Sequence, residues 1–144
     1  MKLQIRHFKE ADLEQLLKSW DSATKLAHPF LPVDFISQER KNIPELYIPN
    51  TDTWVVVDND IVVGFIALMG NEVGGLFVDT KYHGKGYGKA LMDKAQSLHS
   101  TLELDVFKKN TIGQNFYKKY GFTILEEKFH EPTGEMLLRL IFNK

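Results

Sequence analysis

The fold of this chain is decided by the stretch His83-Gly84-Lys85-Gly86-Tyr87-Gly88-Lys89, in which three glycines alternate with larger residues. The stretch lies between an apolar, strand-like run at residues 75–78 and a helix-like run that starts near Tyr87. Glycine has no Cβ, so backbone N–H groups in such a loop can turn toward a ligand. The first turn of a helix adds unpaired N–H donors and a partial positive charge. The stretch therefore predicts a pyrophosphate-binding loop between a strand and a helix.

Two other glycine-rich phosphate loops do not match this stretch. A P-loop needs Ser or Thr directly after its lysine, and Lys89 is followed by Ala90. The dinucleotide-binding pattern G-x-G-x-x-G needs a third glycine where Lys89 or Leu91 stands. A nucleotide-binding domain is therefore disfavoured, and the pattern that remains is Q/R-x-x-G-x-G/A with His83 at its first place.

This pattern resembles motif A of the GNAT superfamily, the acyl-coenzyme A-dependent N-acetyltransferases, with Gly86 and Gly88 as its glycines. His83 stands where that family usually has Arg or Gln. A second stretch, residues 110–122, resembles the family's N-x-x-A-x-x-F-Y-x-x-x-G-F signature, with Gly113 in place of the alanine. The chain is thus similar to small, single-domain bacterial GNAT proteins, and the similarity runs through its whole length.

The hydrophobic pattern predicts a mixed α/β fold for residues 1–144 as a single domain. A strand from Leu3 precedes a helix from Glu10 to Trp20, and a second helical stretch at residues 37–47 is interrupted by Pro44. A hairpin at residues 54–68 and a strand at residues 72–78 lead into the glycine loop. With the later elements, the order is β-α-α-β-β-β-α-β-α-β-β. The GNAT resemblance implies the same order, with about four helices flanking a mainly antiparallel central sheet of about seven strands.

Composition limits the possible partners and compartments. The 144 residues carry a net charge of −1, so no overall field would collect nucleic acid or an anionic membrane. No cysteine is present, which excludes disulfides and a cysteine nucleophile. The start of the chain has no apolar signal-peptide core, and no run of residues is apolar enough to span a bilayer. These features predict a cytoplasmic protein that uses neither nucleic acid nor a membrane. A monomer or homodimer is expected, although these features do not determine the oligomeric state.

The resemblance implies transfer of an acetyl group from acetyl-CoA (coenzyme A as cosubstrate) to a primary amine. The amine would belong to a small molecule or to a peptide or protein, and it would attack the thioester directly. No metal is required, and the five histidines form no i,i+4 pair that would suit one. The alternative function, which is not enzymatic, is that of a domain that binds or senses acyl-CoA.

The GNAT resemblance also implies where the cofactor binds. The backbone of the third strand, near Phe77 or Val78, would bind the acetyl carbonyl and pair with the pantetheine arm as an added strand would. The pyrophosphate would bind at the glycine loop. The expected cofactor-binding residues are Leu76, Phe77, Val78, His83, Gly84, Lys85, Gly86, Tyr87, Gly88, Lys89, Asn110 and Phe116.

Tyr117 and Glu72 are the candidate catalytic residues. A phenol of pKa about 10 is protonated at neutral pH and can deliver a proton to a thiolate, although Tyr117 can equally be a core residue beside Phe116. Glu72 lies eleven positions before His83, as the catalytic glutamate does in the histone-acetylating branch of the family. It can also be a solvent-facing strand residue near a turn. Many GNAT proteins have no dedicated base, so the family resemblance does not require one.

The remaining candidates concern the acceptor and the second motif. Asn110 would contact the pantetheine arm or cap the helix that carries Tyr117, since Asn is a favoured N-cap residue. Similar proteins form the floor of the acceptor site from the segment that holds Trp20, His28, Phe30 and Tyr47. His28 could act as a base or a hydrogen-bond donor, or be an ordinary loop residue.

Overall fold

In the computed structural model, which describes residues 3–144, a seven-stranded sheet separates two layers of helices. The strands are β1 (Leu3–His7), β2 (Asp52–Asp58), β3 (Ile61–Met69), β4 (Glu72–Val78), β5 (Thr101–Phe107), β6 (Thr123–His130) and β7 (Glu135–Asn143). The helices are α1 (Leu13–Ala27), α2 (Val33–Asn42), α3 (Tyr87–Leu98) and α4 (Thr111–Tyr120). The predicted order of elements and the mainly antiparallel mixed sheet are confirmed. None of the helices in this part of the chain is long and apolar enough to cross a membrane.

The order of strands in the sheet is β1-β2-β3-β4-β5-β7-β6, and every neighbouring pair is antiparallel except β4 and β5. Those two parallel strands pair only at Glu72 and Glu103, and they separate beyond that point. The register between β3 and β4 shifts at Ala67 and Leu68, which leaves Gly74 as an extra residue in β4. A bulge of this kind bends its strand, so β4 turns away from β5 and a cleft opens in the sheet.

Two apolar clusters attach the helices to the two faces of the sheet. Helix α1 contributes Leu16 and Trp20 to a cluster with the inner residues of β2 and β3. Helix α3 contributes Leu91 and Met92 to the larger cluster, on the opposite face. All four of these side chains are buried, and burial of such a side chain stabilises a fold by about 1.5–3 kcal/mol. The helices are thereby fixed on either side of the cleft.

The second helical region differs from its prediction. Helix α2 begins at Val33, directly after Pro32, and the chain then continues as a wide π-turn from Ile43 to Tyr47 instead of breaking at Pro44. Proline has no N–H and cannot complete an ordinary helical turn. The N–H of Ile48 bonds to the carbonyl of Ile43, five residues back, so the wider turn accommodates the proline without ending the helical path.

Candidate active site

Two cavities meet at the cleft between β4 and β5. The larger has a volume of about 830 Å³ and lies between β4, the glycine loop, α3 and α4. The smaller has a volume of about 280 Å³ and lies between α1, α2, β4, β5 and the adjoining ends of β6 and β7. Five residues line both cavities, namely His28, Leu76, Phe77, Asn110 and Tyr117. A group bound at this junction is therefore in contact with both cavities.

The glycine loop has the backbone that its sequence predicts. Gly84 and Gly86 have φ angles of +75° and +87°, which residues with a side chain rarely adopt, and neither has a neighbouring atom within 4 Å of the place a Cβ would occupy. Gly86 leads directly into α3, whose first turn offers backbone N–H donors to the larger cavity. The loop and the helix start therefore fit a pyrophosphate group.

Side chains of the loop make contacts within the protein. His83 Nε2 lies 2.7 Å from the carbonyl oxygen of Val78, so the imidazole donates there and ties the loop to the end of β4. Tyr87 is only 1% exposed, and its hydroxyl donates to Asp58 Oδ2 at 2.7 Å. That hydrogen bond is the main reason why the pKa of Tyr87 is raised to about 12. Lys89 pairs with Asp93 at 2.9 Å, and Lys85 lies over the ring of Tyr82 at 5.5 Å from its centroid.

Tyr117 lies at the junction of the cavities with its hydroxyl available. Its ring packs against Phe116 and Phe122, with centroid separations of 5.5 and 5.6 Å. Within residues 3–144 the hydroxyl has no hydrogen-bond partner. Burial raises the pKa of Tyr117, so the phenol stays protonated throughout the neutral range.

Asn110 makes two bonds that determine the state of His28. Its Oδ1 accepts the N–H of Gly113 at 2.8 Å, which confirms the predicted cap of α4. Its Nδ2 must then be the atom that faces His28 Nε2, at 3.2 Å, so Asn110 donates and Nε2 accepts. Burial lowers the pKa of His28 to about 4. His28 is therefore neutral at pH 7, and its acceptor nitrogen is already occupied.

Glu72 lines neither cavity. Its carboxylate accepts two bonds from the guanidinium of Arg139, one of them 2.8 Å long from Nη1 to Oε2. Arg139 also pairs with Glu103 and Asp105 at 3.2 Å. This cluster joins β4 to β5 and β7 at the one place where the two parallel strands pair. It marks the closed end of the cleft.

Most of the predicted site residues converge on the cleft. All of the expected cofactor-binding residues except Lys85 line the larger cavity. Trp20 and His28 line the smaller cavity, whereas Phe30 and Tyr47 do not. Phe30 packs behind His28 at a ring separation of 5.8 Å, and the hydroxyl of Tyr47 donates to Glu39 Oε2 at 2.5 Å. These two residues are therefore placed behind the wall of the smaller cavity.

Sequence reasoning missed four polar residues of the smaller cavity: Glu39 and Asp105, which bond to neighbouring side chains, and the pair Thr24 and His130. Thr24, on α1, is 3% exposed, and its hydroxyl has no hydrogen-bond partner within residues 3–144. His130, at the end of β6, lines the same cavity from the opposite side. Neither residue belongs to a recognisable motif. Among the described residues, no three His, Asp or Glu side chains come together as metal ligands.

Comparisons with known proteins agree with this geometry. Residues 49–124 match the family model described as an acetyltransferase (GNAT) domain. The chain is 31% identical to the peptidyl-lysine N-acetyltransferase YiaC of Escherichia coli, over 90% of this chain and 89% of YiaC. It is also 31% identical to the peptidyl-lysine N-acetyltransferase YjaB of Salmonella typhimurium, over 99% of both chains.

Solved structures show the same fold. The apo-form of YjaB from Escherichia coli superposes with a TM-score of 0.89 at 28% identity, covering 99% of this chain and 98% of that one. The PaiA N-acetyltransferase from Thermoplasma acidophilum in complex with coenzyme A superposes with a TM-score of 0.80 at 19% identity, over 100% of both chains. The chain belongs to the GNAT acetyltransferase family. It is an acetyl-CoA-dependent N-acetyltransferase, as its sequence predicts.

Proposed function

We propose that this enzyme acetylates the ε-amino group of lysine side chains in peptides or proteins. The observation that carries the proposal is the junction of the two cavities at Tyr117, where a thioester in one cavity can meet an amine from the other. The smaller cavity, of about 280 Å³, is partly lined by apolar residues such as Leu31, Ile36 and Leu137, which suits a long aliphatic side chain that ends in an amine. The peptidyl-lysine acetyltransferases YiaC and YjaB support this class of acceptor.

The larger cavity is proposed to hold the donor. The glycine loop and the first turn of α3 would bind the pyrophosphate through backbone N–H groups. Beyond Glu72, the edge of β4 that faces β5 has no strand paired to it within residues 3–144. The backbone from Leu76 to Val78 would therefore bind the pantetheine arm as an added strand. When bound, acetyl-CoA supplies a thioester whose carbonyl carbon an amine can attack.

Tyr117 is proposed to protonate the departing sulfur. Its hydroxyl has no hydrogen-bond partner within residues 3–144, and its raised pKa keeps the proton on the oxygen until a base forms beside it. The same burial opposes charge on a thiolate nearby and makes that thiolate more basic, so the proton transfer remains feasible. Phe116 and Phe122 hold the ring in place.

We propose no catalytic role for Glu72. Its carboxylate belongs to the Arg139 cluster and lines neither cavity, so we propose a structural role for it. We also propose that residues 1–144 act as one domain, because a single sheet carries both walls of the cleft.

The proposal is tested with lysine peptides. Purified protein is incubated with acetyl-CoA and an N-terminally blocked peptide that contains one lysine, and acetylation is followed by mass spectrometry and thiol release. A matched peptide with arginine in place of the lysine is the control. Acetylation of the lysine peptide alone is expected. Turnover of free small amines, with none of any lysine peptide, would contradict the proposed acceptor.

A further inference from the structure

We propose that His130 is the general base that takes a proton from the acceptor ammonium. The inference rests on the function proposed above and adds the residue that prepares the amine for attack. A lysine side chain is protonated at pH 7, since its ordinary pKa is about 10.4, and an ammonium group has no lone pair with which to attack a carbonyl. A base on the acceptor side of the cleft must therefore accept a proton.

The smaller cavity contains two imidazoles, His28 and His130. His28 is unsuited to this role because its Nε2 accepts from Asn110 and its burial opposes a positive charge. The neutral ring carries its proton on Nδ1, so neither nitrogen has a lone pair to offer the amine. This leaves His130 as the imidazole that can accept a proton in this cavity.

A neighbouring hydroxyl orients the ring of His130. Nδ1 lies 2.7 Å from Thr133 Oγ1, and that hydroxyl reaches the His130 carbonyl oxygen at 3.4 Å. With the hydroxyl proton directed to the carbonyl, Nδ1–H donates to Oγ1 and the lone pair lies on Nε2. Within residues 3–144, Nε2 has no hydrogen-bond partner. The rings of Phe35 and Phe107 meet the imidazole edge-on at 5.8 and 5.5 Å and fix its plane.

Charged groups around His130 are mostly engaged with one another. On β7, Glu135 lies directly opposite His130 and pairs with Lys109. On β5, Asp105 pairs with Lys128 and Arg139, and on α2 Glu39 accepts from Tyr47. No carboxylate is bonded to His130 itself among the described residues. The facing charged groups are Glu39, Asp105, Lys109, Lys128, Glu135 and Arg139.

In the proposed reaction, the ammonium gives one proton to His130 Nε2, which later releases it to solvent. The neutral amine nitrogen then forms a bond to the acetyl carbon, and the carbon–sulfur bond breaks. The nitrogen loses a second proton to solvent as the amide forms. The departing sulfur takes a proton from Tyr117, and Tyr117 regains one from solvent. The products are an acetylated lysine, a thiol and one released proton.

The first test is the pH dependence of kcat/KM with a lysine peptide for the wild type, His130→Gln and His99→Gln. His99 lies at the end of α3 outside both cavities, and it is the matched histidine control. We expect His130→Gln to lower kcat/KM about 100-fold at pH 7 and by much less near pH 10, where solvent deprotonates the amine. His99→Gln should follow the wild-type profile. A pH-independent loss in His130→Gln, or no loss, would overturn the inference.

The second test needs no turnover. Nitrogen-15 NMR of the ligand-free protein reports which ring nitrogen of His130 carries the proton. We expect the Nδ1–H form in the wild type and a mixture of tautomers in Thr133→Val. An Nε2–H form in the wild type would overturn the inference. If the wild type acetylates no lysine peptide, the proposed function itself fails; if it does and His130→Gln keeps the full pH profile, only the role of His130 fails.

Discussion

Asn110 Nδ2 donates to His28 Nε2 across 3.2 Å, and this bond connects the start of α4 to the end of α1 at the junction of the two cavities. The partner oxygen of the same side chain caps α4 through the N–H of Gly113. One residue thus orders a helix start and fixes the tautomer of a buried imidazole. The wall at the junction of the larger and smaller cavities depends on both contacts.

The buried state of His28 predicts a loss of stability in mild acid. Its folded pKa of about 4 lies below the ordinary value of 6.5, so below pH 6.5 the unfolded chain binds a proton that the folded chain does not. We expect this group alone to lower the free energy of unfolding by about 3 kcal/mol between pH 7 and pH 4.

This pH effect is measured by urea denaturation of the wild type and of His28→Gln at several pH values. His28→Gln should lose less stability than the wild type as the pH falls, because Gln does not titrate. His99→Gln should keep the wild-type dependence. Parallel curves for the wild type and His28→Gln would contradict the assignment.

Removal of the Tyr117 hydroxyl should affect turnover and not folding. Tyr117→Phe keeps the ring packed against Phe116 and Phe122, and the hydroxyl has no bond to lose within residues 3–144. We expect kcat to fall about 100-fold, with the free energy of unfolding unchanged within about 0.5 kcal/mol.

The matched tyrosine is Tyr120, whose hydroxyl donates to Asp93 Oδ1 at 2.7 Å. Tyr120→Phe should lower the free energy of unfolding by about 1 kcal/mol and change kcat by only a few-fold. Steady-state kinetics and urea denaturation of both variants give the comparison. Full turnover in Tyr117→Phe would remove the tyrosine from the mechanism.

Alanine in the glycine loop should weaken binding of coenzyme A. Gly86→Ala forces a residue with a Cβ into a φ of +87°, which costs about 1–2 kcal/mol, and any relaxation turns the loop N–H groups away from the ligand. Gly70→Ala is the control, since Gly70 also has a positive φ of +57° and open space around it but lines neither cavity.

Isothermal titration with coenzyme A and thermal unfolding separate these two effects. Both variants should lose stability, and only Gly86→Ala should bind coenzyme A more weakly, by at least tenfold. Equal affinities in the two variants would show that the loop does not bind the pyrophosphate.

Replacement of Glu72 should affect stability more than catalysis. Glu72→Gln removes one carboxylate from Arg139, which keeps Glu103 and Asp105 as partners. Because the cluster is partly exposed, we expect a loss of about 1 kcal/mol in the free energy of unfolding. The pH profile of kcat/KM should keep its acidic limb. Disappearance of that limb would make Glu72 the base in place of His130.

The sequence predicted the parts of this enzyme whose physics is local. The glycine loop between a strand and a helix, the Asn110 cap and the apolar periods of the strands each depend on a few neighbouring residues. The same holds for the order of elements, which the structure confirms. Pro44 was the exception, because a wide turn can accommodate a proline that an ordinary helix cannot.

Only the tertiary structure determined which side chains line the smaller cavity. Strand β7 lies between β5 and β6, and this order brings His130 beside Phe107, although the two are far apart in sequence. The same packing buries Thr24 and His28 at the cavity wall and leaves Phe30 and Tyr47 behind it. Which side chains meet across a cleft depends on strand order and helix packing, and these are set by contacts between distant segments. Residue type and spacing therefore determined the glycine loop, whereas only the folded sheet determined that His130 lines the smaller cavity.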